Sequence, residues 1–161
     1  MGTRSVVAVP LDGGFQGRYI HWDGYPTGVG AELHALVNRD GVETVIRVMT
    51  QENYGWSNID RLHDGVTLTA GYTDGRFRAV EGYGVAYTTE QNQSNPDEWI
   101  RSSGDCWGTE WAYVLGRDSI AVFQPRGSWA NPDWVHVGTV RYDEDPSAFQ
   151  RIEQEVYAAA E

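Results

Sequence analysis

The sequence predicts a single α+β domain over residues 1–161, with helices on one side of a mostly antiparallel sheet of about five to seven strands. Three observations point there. Short alternating or Val-rich runs recur between tight-turn signals such as Asp12-Gly13-Gly14 and Gly116-Arg117-Asp118-Ser119. Two stretches with apolar residues at helical spacing follow the first two strands directly, and a third closes the chain. Consecutive strands joined by tight turns favour antiparallel pairing over a doubly wound parallel sheet.

In chain order, residues 4–9 form the first expected strand and residues 16–23 the second, joined as a hairpin. Strand alternation then puts Tyr19, His21 and Asp23 on one face, and Arg18, Ile20 and Trp22 on the other. After the 24–30 loop, Val29, Leu33, Leu36 and Val37 predict a helix over about residues 29–38, with Thr27 or Gly28 as its cap. Val42, Val45, Ile46 and Met49 predict a second helix, stopped by Asn53-Tyr54-Gly55. Residues 56–64 are irregular, and Val66, Leu68, Ala70 and Tyr72 alternate as a strand over 65–72. Thr73-Asp74-Gly75 turns into a strand over 76–80, and Gly82 and Gly84 mark a bulge or close backbone approach before a strand over 85–88. Asn95-Pro96-Asp97-Glu98 reads as the start of a short helix. Strands are then expected over 109–115, 120–124 and 134–142, and a last helix over about 147–159, striped by Phe149, Ile152 and Val156.

Composition bounds the function. A net charge of −11 leaves no basic face for long nucleic acids, although one or two Arg and some backbone N–H groups suffice for a small nucleotide. No apolar run approaches the ~18 to 20 residues that span a bilayer, and the run from Val6 to Pro10 is too short for a signal-peptide core, so a cytoplasmic location without membrane contact is expected. The lone Cys106 excludes an internal disulfide and any multi-cysteine zinc site, and is expected to be a half-buried thiol. Gly is in excess, 19 against about 11 from average usage. The 7 Trp and 9 Tyr outnumber the 4 Phe, a bias toward aromatics that suit half-wet positions in pockets, interfaces or loop-rich sheets.

The densest chemistry lies in His21-Trp22-Asp23-Gly24-Tyr25-Pro26-Thr27-Gly28-Val29-Gly30. A His and a carboxylate two apart on one strand face can share a metal ion, or the carboxylate can orient the imidazole as a general base. A metal would need a third ligand, and His34, His63, Asp64 and His136 do not stand at recognised spacing, so neither a metal nor a cofactor is expected. Alternatively, Asp23 ties the following loop through backbone N–H groups and His21 is a hydrogen-bonded structural residue. Gly28 and Gly30 ahead of a helix can present N–H groups to an anion, or serve a tight turn and close packing. Both the Walker spacing and the full dinucleotide fingerprint are absent. Arg4 stands in the first strand, either with its head in water or paired with Asp23 or Glu81 as an anion hook. Gly2 offers no nucleophilic side chain, so an N-terminal hydroxyl nucleophile is not supported. The pairs Trp107/Trp111 and Trp129/Trp134 either stack a sugar or base, or close the ends of the sheet.

Thr3-Arg4-Ser5 together with Tyr19-Ile20-His21-Trp22-Asp23-Gly24-Tyr25-Pro26 and Gly28-Val29-Gly30 resembles a group of small uncharacterised proteins of bacteriophages and bacteria, actinobacterial ones included. The resemblance covers roughly the first 40 residues. It implies a phage or mobile-element origin and brings with it no activity, cofactor or catalytic residue. The expectation is a non-enzymatic binding protein that takes a small polar or nucleotide-like ligand, or a host protein, through the 21–30 loop. Arg4, Tyr19, His21, Asp23, Tyr25, Gly28 and Gly30 are its candidate contacts. Two alternatives stand beside it: a hydrolase using His21 and Asp23 as a base pair or as metal ligands, and a structural component of a virion or complex.

Overall fold

The computed structural model describes residues 3–88 and 99–160. Its strands are β1 (Ser5–Leu11), β2 (Gly14–Ile20), β3 (Trp56–Ile59), β4 (Phe77–Val80), β5 (Gly84–Tyr87), β6 (Ile100–Arg101), β7 (Trp111–Leu115), β8 (Ser119–Arg126) and β9 (Asp133–Arg141). The helices are α1 (Ala31–Asp40), α2 (Val42–Ile46) and α3 (Ser147–Ala159). Five-residue π-helical segments, Pro26–Gly30 and Arg47–Gln51, precede α1 and follow α2.

The chain is one α+β domain whose described residues form a nine-stranded sheet, wider than the five to seven strands expected. Its order is β4-β5-β3-β2-β1-β7-β8-β9, with β6 pairing β2 off this path. Pairing is antiparallel except for β1 with β7 and β2 with β3. The parallel contacts join strands far apart in sequence, which turn signals cannot announce. Burial on both faces makes Val6, Val7 and Ala8 of β1, and all of β7, apolar without interruption or nearly so.

The helices among the described residues cover one face. Leu33 and Leu36 of α1, Val45 of α2, Met49 after it, and Phe149 and Ile152 of α3 form one core with Val7, Ile20, Trp56, Trp111, Tyr113 and Ile120 of the sheet. The opposite face carries a smaller cluster, Val6, Ala8, Phe15, Ile100, Ala112 and Val114. Alternation assigns β7 cleanly: Trp111, Tyr113 and Leu115 go to the helical side, Ala112 and Val114 to the other.

Three expectations change. Residues 65–72 form no strand, because the Asp64 carboxylate takes the backbone N–H groups of Val66 (2.9 Å) and Thr67 (2.8 Å) in a local turn. Trp56–Ile59, which looked irregular, is a strand pairing both β2 and β5, with a bulge between Trp56 and Asn58 that obscures its period. Strand β2 ends at Ile20 rather than Asp23, whose backbone is left-handed at φ 56°. The helix start expected at Asn95-Pro96-Asp97-Glu98 lies outside the described residues. No helix among the described residues is long and apolar enough to cross a membrane.

Candidate functional site

The 21–30 segment is held from several directions. The backbone N–H groups of His21 and Trp22 donate to the carbonyls of Trp56 (2.9 Å) and Ser57 (3.0 Å), extending the β2–β3 contact past the strand end. Gly24 N–H donates to the Thr3 carbonyl at 2.7 Å, and the buried Tyr113 hydroxyl donates to the Gly24 carbonyl. Asp23, in its left-handed turn, presents its carbonyl to the N–H of Val29 at 3.0 Å. It therefore closes the loop through its backbone, where its side chain had been the expected tie.

The expected anion loop is already satisfied internally. The helical path begins at Pro26, three residues earlier than expected, with Pro at the first position, where its missing N–H costs nothing. Gly28 N–H donates to the Tyr25 carbonyl at 2.9 Å. The Thr27 N–H and hydroxyl both meet one carboxylate oxygen of Glu153 from α3, at 3.2 and 3.0 Å. A side-chain carboxylate thus occupies the helix start that a ligand anion would need. The glycines serve packing. A Cβ at Gly28 would strike the Asp23 carbonyl, and one at Gly30 would sit 2.8 Å from the Phe149 ring.

The structure separates His21 from Asp23. The Tyr19 hydroxyl and His21 Nδ1 lie 2.6 Å apart, so these two do share a face. Asp23, turned by its positive φ, instead lines a second surface with Tyr25, Thr27, Gly28 and Glu32. The base pair that alternation suggested is therefore not assembled. Arg4 is exposed, and its charge reaches the Tyr19–His21 pair. Burial pushes the Tyr19 hydroxyl pKa up and Arg4 partly offsets it, whereas burial and Arg4 both push the His21 pKa down. Among the described residues, no group of three or more His, Cys, Asp and Glu side chains comes together as a metal site.

What the structure does assemble is centred on Trp22. Its side chain, 37% exposed, lines two adjoining clefts. The smaller, about 370 Å³, is walled by Asp23, Tyr25, Thr27, Gly28, Glu32 and Asp60. The larger, about 590 Å³, lies between Trp22 and Asn58 on one side and the 62–72 loop on the other. That loop contributes Leu62, His63, Thr67, Thr69 and Tyr72. Asn58 belongs to both clefts, presented from the β3 bulge.

Each aromatic wall has a ring behind it. The His21 ring meets the Trp22 ring edge-on at 4.7 Å, and Tyr19 holds that imidazole from the other side. Tyr72 packs edge-on against Phe77 at 4.6 Å, and Phe77 against Tyr87 at 5.5 Å. Tyr19 and His21 therefore support the site by fixing Trp22. Of the expected contacts, Asp23, Tyr25 and Gly28 line a cleft, and Gly30 is buried under Phe149 and Tyr113.

Sequence reasoning did not count Trp22, Asn58, His63 and Tyr72 among the ligand contacts. Strand alternation sent Trp22 away from His21, and it failed because the strand ends one residue before His21. The Trp107/Trp111 pair is split between the two faces of the sheet. Trp111 is buried among the helices while Trp107 packs on the opposite cluster, and Trp134 stands edge-on to Phe15 at 5.2 Å. Cys106 is buried. Comparison of the chain with protein-family models, with curated proteins and with solved structures finds no match in any of the three.

Proposed function

We propose that this chain is a non-enzymatic binding protein of phage or mobile-element type that takes a small polar ligand in the clefts flanking Trp22. One observation carries the reading: an exposed Trp, fixed by the Tyr19–His21 pair, forms the shared wall of two open clefts that combine aromatic and aliphatic surface with polar side chains. The larger falls within the ~300 to 1,000 Å³ usual for small-molecule sites. Pre-formed walls favour binding because little side-chain freedom is lost when a ligand arrives. A catalytic reading has less support. A general base needs its carboxylate partner within reach, and here the Nδ1 of His21 faces Tyr19 while Asp23 lies along a different surface.

The test is a small-molecule screen read by NMR at the Trp22 indole N–H, assigned through Trp22→Phe. At least one polar compound is expected to shift that resonance saturably, and Trp22→Ala is expected to weaken its binding about tenfold, the order of a lost stacking contact. A screen that leaves Trp22 unmoved, together with capture of a host protein whose binding Trp22→Ala leaves intact, overturns the reading.

A further inference from the structure

Resting on the reading of these clefts as a binding site, we infer that the ligand is an uncharged ring compound with a hydroxylated rim, a saccharide or an unphosphorylated nucleoside, and that phosphorylated forms are rejected.

The larger cleft sets the first half of this. Trp22 and Tyr72 bring aromatic rings to its lining, and Leu62, 82% exposed, adds apolar surface beside them. Stacking on an aromatic ring suits a sugar ring or a base, since either presents a flat apolar side. Around the rings stand hydrogen-bonding groups. The Asn58 amide and Thr69 hydroxyl line the cleft, and among the described residues neither has an internal side-chain partner. His63 accepts the Gly65 N–H at Nδ1 (3.0 Å), which in the neutral ring leaves the proton on Nε2 as a donor. The one carboxylate in this lining, Asp64, is committed to Val66 and Thr67. Donors and acceptors are thus arranged about an apolar platform, with no Lys or Arg lining it among the described residues.

The smaller cleft sets the second half. Asp23, Glu32 and Asp60 line it. Arg61 compensates Glu32 through an ion pair, and Asp60 Oδ1 takes the Leu62 N–H at 2.9 Å. The Asp23 carboxylate has no partner among the described residues. A phosphate on a ring seated against Trp22 would bring a charge of about −1.5 to −2 beside these acids. The helix start that would normally receive it is filled by Glu153. The acids here act by exclusion, while the ring and the neutral groups supply the attraction.

The experiment titrates the intact chain with four probes: cellotetraose, adenosine, glucose 6-phosphate and AMP, each read at the Trp22 indole and by calorimetry. Cellotetraose or adenosine is expected to bind, and whichever does identifies the source of the ring. AMP and glucose 6-phosphate are each expected to bind at least about tenfold more weakly than the neutral probe. Asp23→Asn combined with Asp60→Asn narrows that gap, since Asn accepts the left-handed backbone at position 23 and can still take the Leu62 N–H. Trp22→Ala and Tyr72→Ala each weaken the neutral probe about tenfold, with far-UV circular dichroism showing that both variants fold. The inference fails if AMP or glucose 6-phosphate matches the neutral probes, or if neither neutral probe moves Trp22 at millimolar concentration. In either case, a different compound that moves Trp22 in the wider screen leaves the binding reading standing and removes only this assignment of ligand class.

Discussion

At the scale of single residues, His21 does its work uncharged. Burial and the Arg4 charge both disfavour the imidazolium, so the folded chain holds the His21 pKa below its ordinary value of 6.5. The unfolded chain then binds the proton first. Stability from this group is intact above the ordinary value, falls as pH drops through it, and levels off below the folded-state pKa. An NMR titration should place the His21 midpoint below 6.5, and Arg4→Gln should move it part of the way back, since burial is the larger cause. A midpoint at or above that value would contradict the arrangement. Gly30 presents the steric counterpart. A methyl there meets the Phe149 and Tyr113 rings inside the core, and Gly30→Ala should cost about 1–3 kcal/mol in denaturant unfolding.

At the scale of elements, the Pro26–Gly30 segment and α3 are joined across the chain by one carboxylate. Glu153 accepts both the N–H and the hydroxyl of Thr27, capping a helix start from a residue 126 positions away. Losing a cap of this kind costs about 1 kcal/mol, so Glu153→Ala should lower the thermal midpoint while Glu153→Gln, which keeps an acceptor, should lower it less. Equal midpoints for Glu153→Ala and the parent chain would show that the contact is idle. The loop from Asp60 to Arg76 is a different kind of element, tied by short local bonds such as those at Asp64 and Asp74. Among its contributions to the site is the Tyr72 wall, which depends on Phe77 at the start of β4.

At the scale of the whole molecule, β1 and β7 form a parallel centre with helices over one face and the smaller apolar cluster over the other. Parallel pairing between strands so distant in sequence makes that centre a long-range structure, which closes only when much of the chain is in place. Local opening therefore should not expose it. Hydrogen exchange should be slowest at the amides of Val7 and Tyr113 and fastest across residues 62–76, where exposed residues carry few ladder bonds. Exchange in that loop as slow as in β1 would mean that the larger cleft is closed by something beyond its local turns.

The parts of this protein legible in its sequence are those that local chemistry decides. The α3 stripe of Phe149, Ile152 and Val156 spans the helix found, since an amphipathic period needs no knowledge of its partner. The first hairpin follows from Asp12-Gly13-Gly14, and the helices gather on one face as their apolar residues require. The 21–30 stretch was legible as the place to look, because its residue types suit a pocket whichever way they point. Their directions were decided by tertiary contacts. The β2–β3 contact and the left-handed turn at Asp23 end the alternation, carry Trp22 into both clefts, and take Asp23 away from His21. Asn58, His63 and Tyr72 reach Trp22 only because β3 lies beside β2, a pairing across 36 residues that no local pattern encodes. Sequence periodicity fixes the face of an element only while that element continues, and this site begins where one stops.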